Sequence, residues 1–180
     1  MRKPIPDAEK NLYGSLRPTE SVLKAWTDTA AAARAMGASV IVFQCPPRFT
    51  PTADHVENLR KFCESADRTG FVLTWEPRGD WPPDLVRGLC AELQLVHVVD
   101  PLKQVPQSEG LRYFRLHGVT GYRYLHTEQD LKTVAGRCAT DAPTYALFNN
   151  LFMGEDALRL QKLLGRPALR VVRPARQRRA

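Results

Sequence analysis

Residues 39–76 read SVIVFQCPPRFTPTADHVENLRKFCESADRTGFVLTWE, and this stretch decides the fold. Two short runs rich in β-branched and aromatic residues, 39–44 and 71–76, each end in a polar residue, which is typical of strands. Between them a Pro-rich turn leads into a predicted helix over residues 51–66, with Thr50 as its N-cap and Pro51 at its first position. The stretch therefore predicts a strand, a helix and a second strand.

The same alternation extends along the rest of the chain. Amphipathic spacing predicts a helix over residues 19–36, and further helices are predicted over 83–93 and 155–164. Thr127-Glu-Gln-Asp130 fits a capping box that opens another helix, ending near Cys138. The five predicted strands cover residues 39–44, 71–76, 95–100, 111–117 and 144–149.

Strands that alternate with helices of ten or more residues are parallel, with right-handed crossovers and the helices packed outside. The predicted class is therefore α/β. One connection departs from the pattern, because residues 100–111 contain no helical periodicity. At 180 residues the chain is also short for a complete eight-unit barrel, which typically needs about 250.

Composition is that of a globular protein, with 43% hydrophobic residues. No apolar run approaches the roughly 20 residues that span a bilayer, and Met1-Arg-Lys-Pro4 does not open a signal segment, so we expect a cytoplasmic protein without membrane partners. The cysteines are far apart and form no CxxC pair, which favours buried, reduced thiols over a zinc site. They are Cys45, Cys63, Cys90 and Cys138.

The net charge of +7 is concentrated at the C-terminal end of the sequence. We predict one domain over residues 1–165 and a flexible basic tail over 166–180. An exposed solubilising tail is the favoured interpretation, and a phosphate-binding arm is the alternative. The arginines of the tail are Arg166, Arg170, Arg173, Arg176, Arg178 and Arg179.

Every predicted strand ends on a polar side chain. In parallel α/β sheets and barrels, ligands bind at the carboxyl ends of the strands, because loops and helix N-termini converge there. The sequence therefore predicts a ligand site along this rim. Its strand-end members are Gln44, Glu76, Asp100, His117 and Asn149.

Alternation along the fourth predicted strand places Tyr113, Arg115 and His117 on one face of the sheet. If that face is the inner one, Arg115 needs a partner, because an isolated buried charge costs several kcal/mol. Glu76 or Asp100 could supply it, either as an architectural ion pair or as part of a substrate clamp.

The other polar candidates each have two interpretations. In Trp75-Glu-Pro-Arg-Gly-Asp-Trp81, Arg78 suits bidentate anion binding and Trp81 suits either stacking on a ligand or ordinary loop packing. Gln44 and Asn149 could instead satisfy loop backbone groups. The remaining assignments are structural: His97 is predicted in the core facing the helices, His55 and His126 in solvent near helix starts, and Asn150 as a cap of the following turn.

Six ordered motifs together resemble the YecE-like proteins, the domain of unknown function 72, and most closely the archaeal-type members. They cover nearly the whole chain up to Leu164. The motifs are Leu16-Arg-Pro-Thr-Glu20, Val42-Phe-Gln-Cys-Pro-Pro47, Trp75-Glu-Pro-Arg78, Val99-Asp-Pro101, Tyr113-Phe-Arg-Leu-His-Gly118 and Leu147-Phe-Asn-Asn150.

The resemblance implies a partial (β/α)8 TIM barrel with strands four to eight present and the first three βα units absent. It implies no particular activity. The recurrent polar positions of the family fall on the strand-end residues above and on Arg78 and Arg115. Because five strands cannot close a barrel, the open edge needs a cover: a companion chain, a second copy, or sequence upstream of Met1.

Three functions follow from these observations. The first is an enzyme for a small polar or phosphorylated substrate, with Glu76, Asp100 and His117 as catalytic groups and Gln44, Arg78, Arg115 and Asn149 as substrate ligands. The cofactor is left open, and a divalent metal shared by the three catalytic groups is one version. The alternatives are a truncated inactive remnant or split-gene half, and a non-catalytic nucleic-acid or anion-binding module that uses the basic tail.

Overall fold

The computed structural model describes residues 12–138 and 142–165, and within these ranges it contains five strands that alternate with five helices. The helices are α1 (Glu20–Ala35), α2 (Ala53–Ser65), α3 (Pro83–Leu93), α4 (Glu128–Arg137) and α5 (Met153–Leu163). The strands are β1 (Val40–Gln44), β2 (Val72–Glu76), β3 (Val96–Val99), β4 (Arg112–Leu116) and β5 (Thr144–Phe148).

The strands form one sheet in the order β1-β2-β3-β4-β5, and every neighbouring pair is parallel. Consecutive parallel strands that neighbour in space, with helices between them, generate the curl of a barrel wall. The predicted class is confirmed: the chain forms an α/β half-barrel, a partial TIM-like barrel. Among the described residues, β1 and β5 are the two edges of the sheet.

The starts of α1, α2 and α4 have side-chain caps, with one correction to the prediction, whereas α3 and α5 begin without one. The Thr19 hydroxyl accepts from the Val22 amide, and Thr127 and Asp130 form the predicted capping box. The prediction of Thr50 as the N-cap of α2 is wrong. Thr52 takes that role, because its hydroxyl accepts from the His55 amide at 3.2 Å while Pro51 remains outside the helix.

The β3–β4 connection contains no helix, as predicted. Side chains hold it in place instead. The Asp100 carboxylate accepts from the Leu102 amide at 3.0 Å, and the Ser108 hydroxyl accepts from the His97 amide at 2.8 Å. An irregular segment thus covers the outer face of β3 where a crossover helix would otherwise lie.

The outer face of the sheet carries the predicted apolar residues. Leu73 and Trp75 of β2 are buried in a core cluster with residues of α1, α2 and α3. Phe114 and Leu116 of β4 are buried in a second cluster with residues of α4 and α5. The alternation along β2 and β4 therefore follows the predicted parity, which leaves Glu76 and Arg115 on the inner face.

The inner face is partly open to solvent. Its centre is apolar, with Val96, Val98 and Tyr113 packed together. Toward the edges, Val72, Tyr145 and Leu147 keep 38%, 41% and 38% of their surface exposed. In a closed barrel these positions would be buried by facing strands.

His97 is buried on the outer face of β3, which confirms the prediction of a core histidine. Its Nδ1 accepts a hydrogen bond from the Gln107 amide at 3.1 Å. Burial lowers the pKa of the imidazole from 6.5 to about 4, because the protonated ring would be poorly solvated. His97 is therefore neutral at physiological pH, with its hydrogen on Nε2.

The lowered pKa of His97 predicts a pH-dependent stability. As pH falls from 7 to 4, the unfolded chain protonates this histidine near pH 6.5, whereas the folded chain does so only near its own pKa. The contribution of His97 to the free energy of unfolding is therefore fully present above pH 6.5. Between pH 6.5 and pH 4 the free energy of unfolding falls by about 3 kcal/mol because of this residue. Urea unfolding at both pH values should show a smaller loss in His97→Gln, and equal losses in wild type and variant would contradict the assignment.

Three of the cysteines behave as the sequence predicted. Cys45, Cys63 and Cys90 are buried free thiols. Burial raises the pKa of Cys45 and of Cys63 to about 11 and that of Cys90 to about 12. These thiols are therefore protonated and contribute to packing.

None of the helices within 12–138 and 142–165 has the length and hydrophobicity required to cross a bilayer.

Candidate functional site

The charged pair of Glu76 and Arg115 lies on the inner face near the carboxyl ends of the strands. Arg115 NH1 donates to Glu76 Oε2 and also to Gln44 Oε1, the latter at 2.8 Å. The two charged side chains expose only 16% and 10% of their surface. Three strands, β1, β2 and β4, thus meet at one guanidinium, and Glu76 rather than Asp100 is the partner that Arg115 requires.

The register of the sheet explains why Arg115 reaches Glu76. Gln44 is directly opposite Glu76 in the β1–β2 pair. Thr74 is opposite Val96, so Glu76, two residues further on, is level with Val98. β3, which lies between the two charges, therefore presents the apolar Val98 on this face. Val98 offers Arg115 no competing partner, and the long arginine side chain extends across β3 to Glu76.

Two further charges line the rim at longer range. Arg78, in the loop after β2, places its Nε 3.9 Å from Glu76 Oε1 and remains exposed. Asp100 binds the backbone of its own loop through one oxygen, and its other oxygen is 3.9 Å from Lys103 Nζ. Asp100 is thus at the rim, as predicted, without contacting the Glu76–Arg115 pair.

His117 and Asn149 follow β4 and β5 directly, and both are half-buried. The Asn149 amide donates to the Leu116 carbonyl at 2.7 Å, which extends the β4–β5 ladder to the rim. Neither side chain hydrogen-bonds to another residue within the described ranges. The turn after His117 requires glycine, since Gly118 has φ +84° and a Cβ there would lie 2.4 Å from the Gly121 carbonyl oxygen.

The rim does not assemble a metal site from the predicted catalytic groups. Across residues 12–138 and 142–165, no three histidine, cysteine, aspartate or glutamate side chains are placed to hold one ion. Glu76 is already bound by Arg115, and Asp100 by its own loop. The arrangement present favours hydrogen bonding and charge pairing over metal ligation.

Trp81 packs within the loops. Its indole Nε1 donates to the Phe49 carbonyl at 2.7 Å, and the ring stacks on Phe49 and meets Trp75 edge-on. Only 9% of the residue is exposed. Of the two interpretations of Trp81, loop packing is therefore the one that the structure supports.

A buried polar cluster that sequence reasoning missed links the loops after β4 and β5. His126 was expected in solvent, but it is 1% exposed, and its Nδ1 donates to Asp156 Oδ2 at 2.7 Å. Asn150 Nδ2 donates to the same carboxylate oxygen at 2.7 Å and to the Tyr124 carbonyl. Arg159 donates to the other carboxylate oxygen at 3.0 Å and to the His126 carbonyl at 2.7 Å.

This cluster explains why Asn150 is fully buried beside the half-buried Asn149. Asn150 connects the β5–α5 loop to the β4–α4 loop through its side-chain hydrogen bonds. The predicted role as a cap of the following turn does not include this connection. Asp156 is on the buried side of α5, one turn before Leu160, and a carboxylate at an apolar-stripe position needs partners. In the sequence, the signal for this cluster is an aspartate one turn before Leu160 on the apolar side of the helix.

The predicted basic tail, residues 166–180, lies outside the described residues, and the interpretations of it stay predictions.

A parallel α/β half-barrel with polar groups gathered at the carboxyl ends of its strands defines a protein of the TIM-like class. Comparison with protein families identifies the family: the chain belongs to the one described as "Protein of unknown function DUF72", whose model matches residues 9–179. The likeness to archaeal members stays a prediction. No protein with curated annotation matches the chain.

Solved structures of the same family share the fold. A DUF72 family protein from Thermotoga maritima aligns with a TM-score of 0.66 and 21% identity, covering 86% of this chain and 72% of its own. A DUF72 family protein from Enterococcus faecalis aligns in one crystal structure with a TM-score of 0.68 and 21% identity, covering 88% and 73%. These similarities show the architecture and no activity.

Proposed function

We propose that the chain is an enzyme of the TIM-like class that binds a small polar or phosphorylated substrate at the carboxyl ends of its strands. The observation that supports this most is the bridge from Arg115 to Gln44 and Glu76. A polar constellation on the inner face of a barrel wall, where apolar packing would be more stabilising, is typical of a binding site. Buried free thiols are consistent with a reducing, cytoplasmic setting.

Arg115 retains hydrogen-bonding capacity for a ligand. One nitrogen, NH1, serves both Gln44 and Glu76, while NH2 and Nε donate to no residue in the described part of the chain. A guanidinium with a free edge suits bidentate binding of a carboxylate or phosphate. Arg78 is exposed beside it and adds a second positive charge for an anionic group.

In this proposal, Glu76 acts as general acid or base, and Asp100 and His117 are the second acid–base candidates along the rim. Arg115 positions the Glu76 carboxylate and neutralises it between turnovers. Gln44 and Asn149 supply amide groups that orient polar substituents. The three acid–base side chains come from neighbouring strand ends, so one substrate could contact more than one of them.

The test is consumption of a substrate from a mixture of phosphorylated and polar metabolites, followed by mass spectrometry. We expect wild type to deplete at least one compound and Glu76→Gln to lower kcat by about 10²–10⁴-fold. Arg78→Gln should raise KM about tenfold with little effect on folding, because that side chain is exposed. Lys61→Gln, which removes an exposed positive charge of α2 that is paired, among the described residues, only with Glu57, is the control. Depletion that is unchanged in Glu76→Gln would refute the assignment.

A second candidate concerns the open inner face. Val72, Tyr145 and Leu147 are exposed there, and within the described residues no further strand lies beside the edge strands β1 and β5. We propose that a second copy of the chain covers this face, with a companion chain that supplies further strands as the alternative. The aligned region spans only 72% of the Thermotoga maritima protein, which is consistent with additional structure around this fold in the family.

Sedimentation velocity distinguishes these cases. If a second copy covers the inner face, the protein should form dimers. These dimers should dissociate when Leu147→Lys places a charge in the contact. Val119→Lys, at an exposed apolar residue in the β4–α4 loop, is the control and should leave the dimer intact. A wild-type monomer over the whole concentration range would refute self-association and favour a companion chain.

A further inference from the structure

The helix-free connection between β3 and β4 leaves a cavity on the outer side of the sheet, beside the rim loop that carries Arg78. The cavity has a volume of about 330 Å³ and lies between this connection, the β2–α3 loop and α3. Pro77, Trp81, Val86 and Val105 form its apolar walls. Its volume falls within the range of small-molecule sites, which starts near 300 Å³.

His97 is the polar group that distinguishes this cavity from a packing defect. The residue lines the cavity although only 4% of it is exposed. Because Nδ1 accepts from the Gln107 amide, the neutral ring carries its hydrogen on Nε2. No residue within the described ranges accepts that hydrogen. That hydrogen is available to water or to an acceptor on a ligand in the cavity.

The neighbouring polar groups are already committed, which limits the ligand's charge. Arg87 donates to Asp84 and to the Gln107 side chain, both at 2.8 Å. The Gln107 side chain in turn donates to the Val105 carbonyl at 3.0 Å. These bonds hold Gln107 in place, and the described residues that line the cavity include no lysine or arginine that would select an anion.

We propose that this cavity binds a small, flat, uncharged molecule with an apolar body and one hydrogen-bond acceptor, such as an aromatic amide, and that His97 Nε2 donates to the acceptor. A flat apolar body is chosen to pack against the Trp81 and Pro77 rings in the walls. The acceptor is placed to match His97 Nε2, and the exposed Gln104 also lines the cavity. This site is separate from the Glu76–Arg115 pair, which is on the opposite face of the sheet.

Benzamide is a suitable probe, and toluene is its counterpart without an acceptor. In ¹H–¹⁵N spectra of the full chain, benzamide should shift the Trp81 indole and the Val105 and Gln107 amides saturably, with a Kd in the millimolar range expected for about nine heavy atoms. Toluene should bind about fivefold more weakly, because it leaves the donor unpaired. Absence of a saturable benzamide shift would overturn the proposal.

Variants separate the donor from the walls. His97→Leu should weaken benzamide about five- to tenfold and leave toluene unchanged, whereas His97→Gln, which keeps a donor, should retain part of the preference. If His97→Leu does not fold, Val105→Trp at the mouth should abolish binding of both probes, while Val119→Trp in another loop should not. Equal benzamide affinity in wild type and in folded His97→Leu or Val105→Trp would contradict the proposal.

Discussion

Asp156→Ala is expected to lower the free energy of unfolding by about 3–5 kcal/mol. The carboxylate is fully buried and accepts from His126, Asn150 and Arg159. Its removal leaves the buried His126 Nδ1–H without its acceptor, takes one of two acceptors from the Asn150 amide, and weakens the link between the loops after β4 and β5. The cost therefore combines lost hydrogen bonds with the desolvation of the groups left behind.

Urea unfolding followed by circular dichroism measures this effect. Glu155→Ala is the matched control, since Glu155 is the preceding acidic residue in the first turn of α5 and is exposed. Both substitutions remove one favourable charge near the helix N-terminus, so their difference isolates the buried cluster. We expect the control to cost under about 1 kcal/mol. Similar losses for the two variants would show that the cluster contributes little.

Breaking the Glu76–Arg115 pair from one side should be nearly as costly. Arg115→Met leaves the Glu76 carboxylate largely buried with, among the described residues, only Arg78, 3.9 Å away, as an ionic partner, and we expect a loss at the lower end of about 3–5 kcal/mol. In the double variant Glu76→Leu/Arg115→Met both charges are gone, so we expect it to be more stable than Arg115→Met alone. The double-mutant cycle measures the coupling directly.

The exposed pair of Arg60 and Glu92 provides the comparison. Arg60 bonds both Glu92 oxygens, through Nε at 2.7 Å and NH2 at 3.0 Å, and the two side chains are 38% and 46% exposed. Arg60→Met should therefore cost much less stability than Arg115→Met, because the exposed pair is screened by water. If Arg115→Met costs as little as Arg60→Met, the inner-face pair is effectively solvated and the site is more open than its burial indicates.

The fold was predictable because its signals are local. Each strand is a short β-branched or aromatic run, and helix caps such as Thr19 and the Thr127–Asp130 box lie beside the segments that they terminate. Where several capping residues are adjacent, as in Thr50-Pro51-Thr52, local pattern does not choose between them. The geometry of the Thr52 hydroxyl and the His55 amide decides.

The candidate site was predictable in part. Alternation places Arg115 and Glu76 on one face, and the energy of a buried charge requires a partner for Arg115. The choice between Glu76 and Asp100 depends on register, which a single sequence does not contain. The missed cluster has the same origin: His126 and Asp156 are 30 residues apart, and nothing local to His126 distinguishes a buried imidazole from a solvated one.

The hydrogen bonds from Arg115 to Gln44 and Glu76 can form only after β4 has been synthesised. Its partners precede it by 71 and 39 residues, so Gln44 and Glu76 leave the ribosome well before the arginine that joins them. Until β4 docks, the Glu76 carboxylate remains hydrated at the growing end of the sheet. The rim is therefore completed late in chain assembly, and each nascent intermediate exposes a negative charge that discourages premature stacking of β2 on another chain.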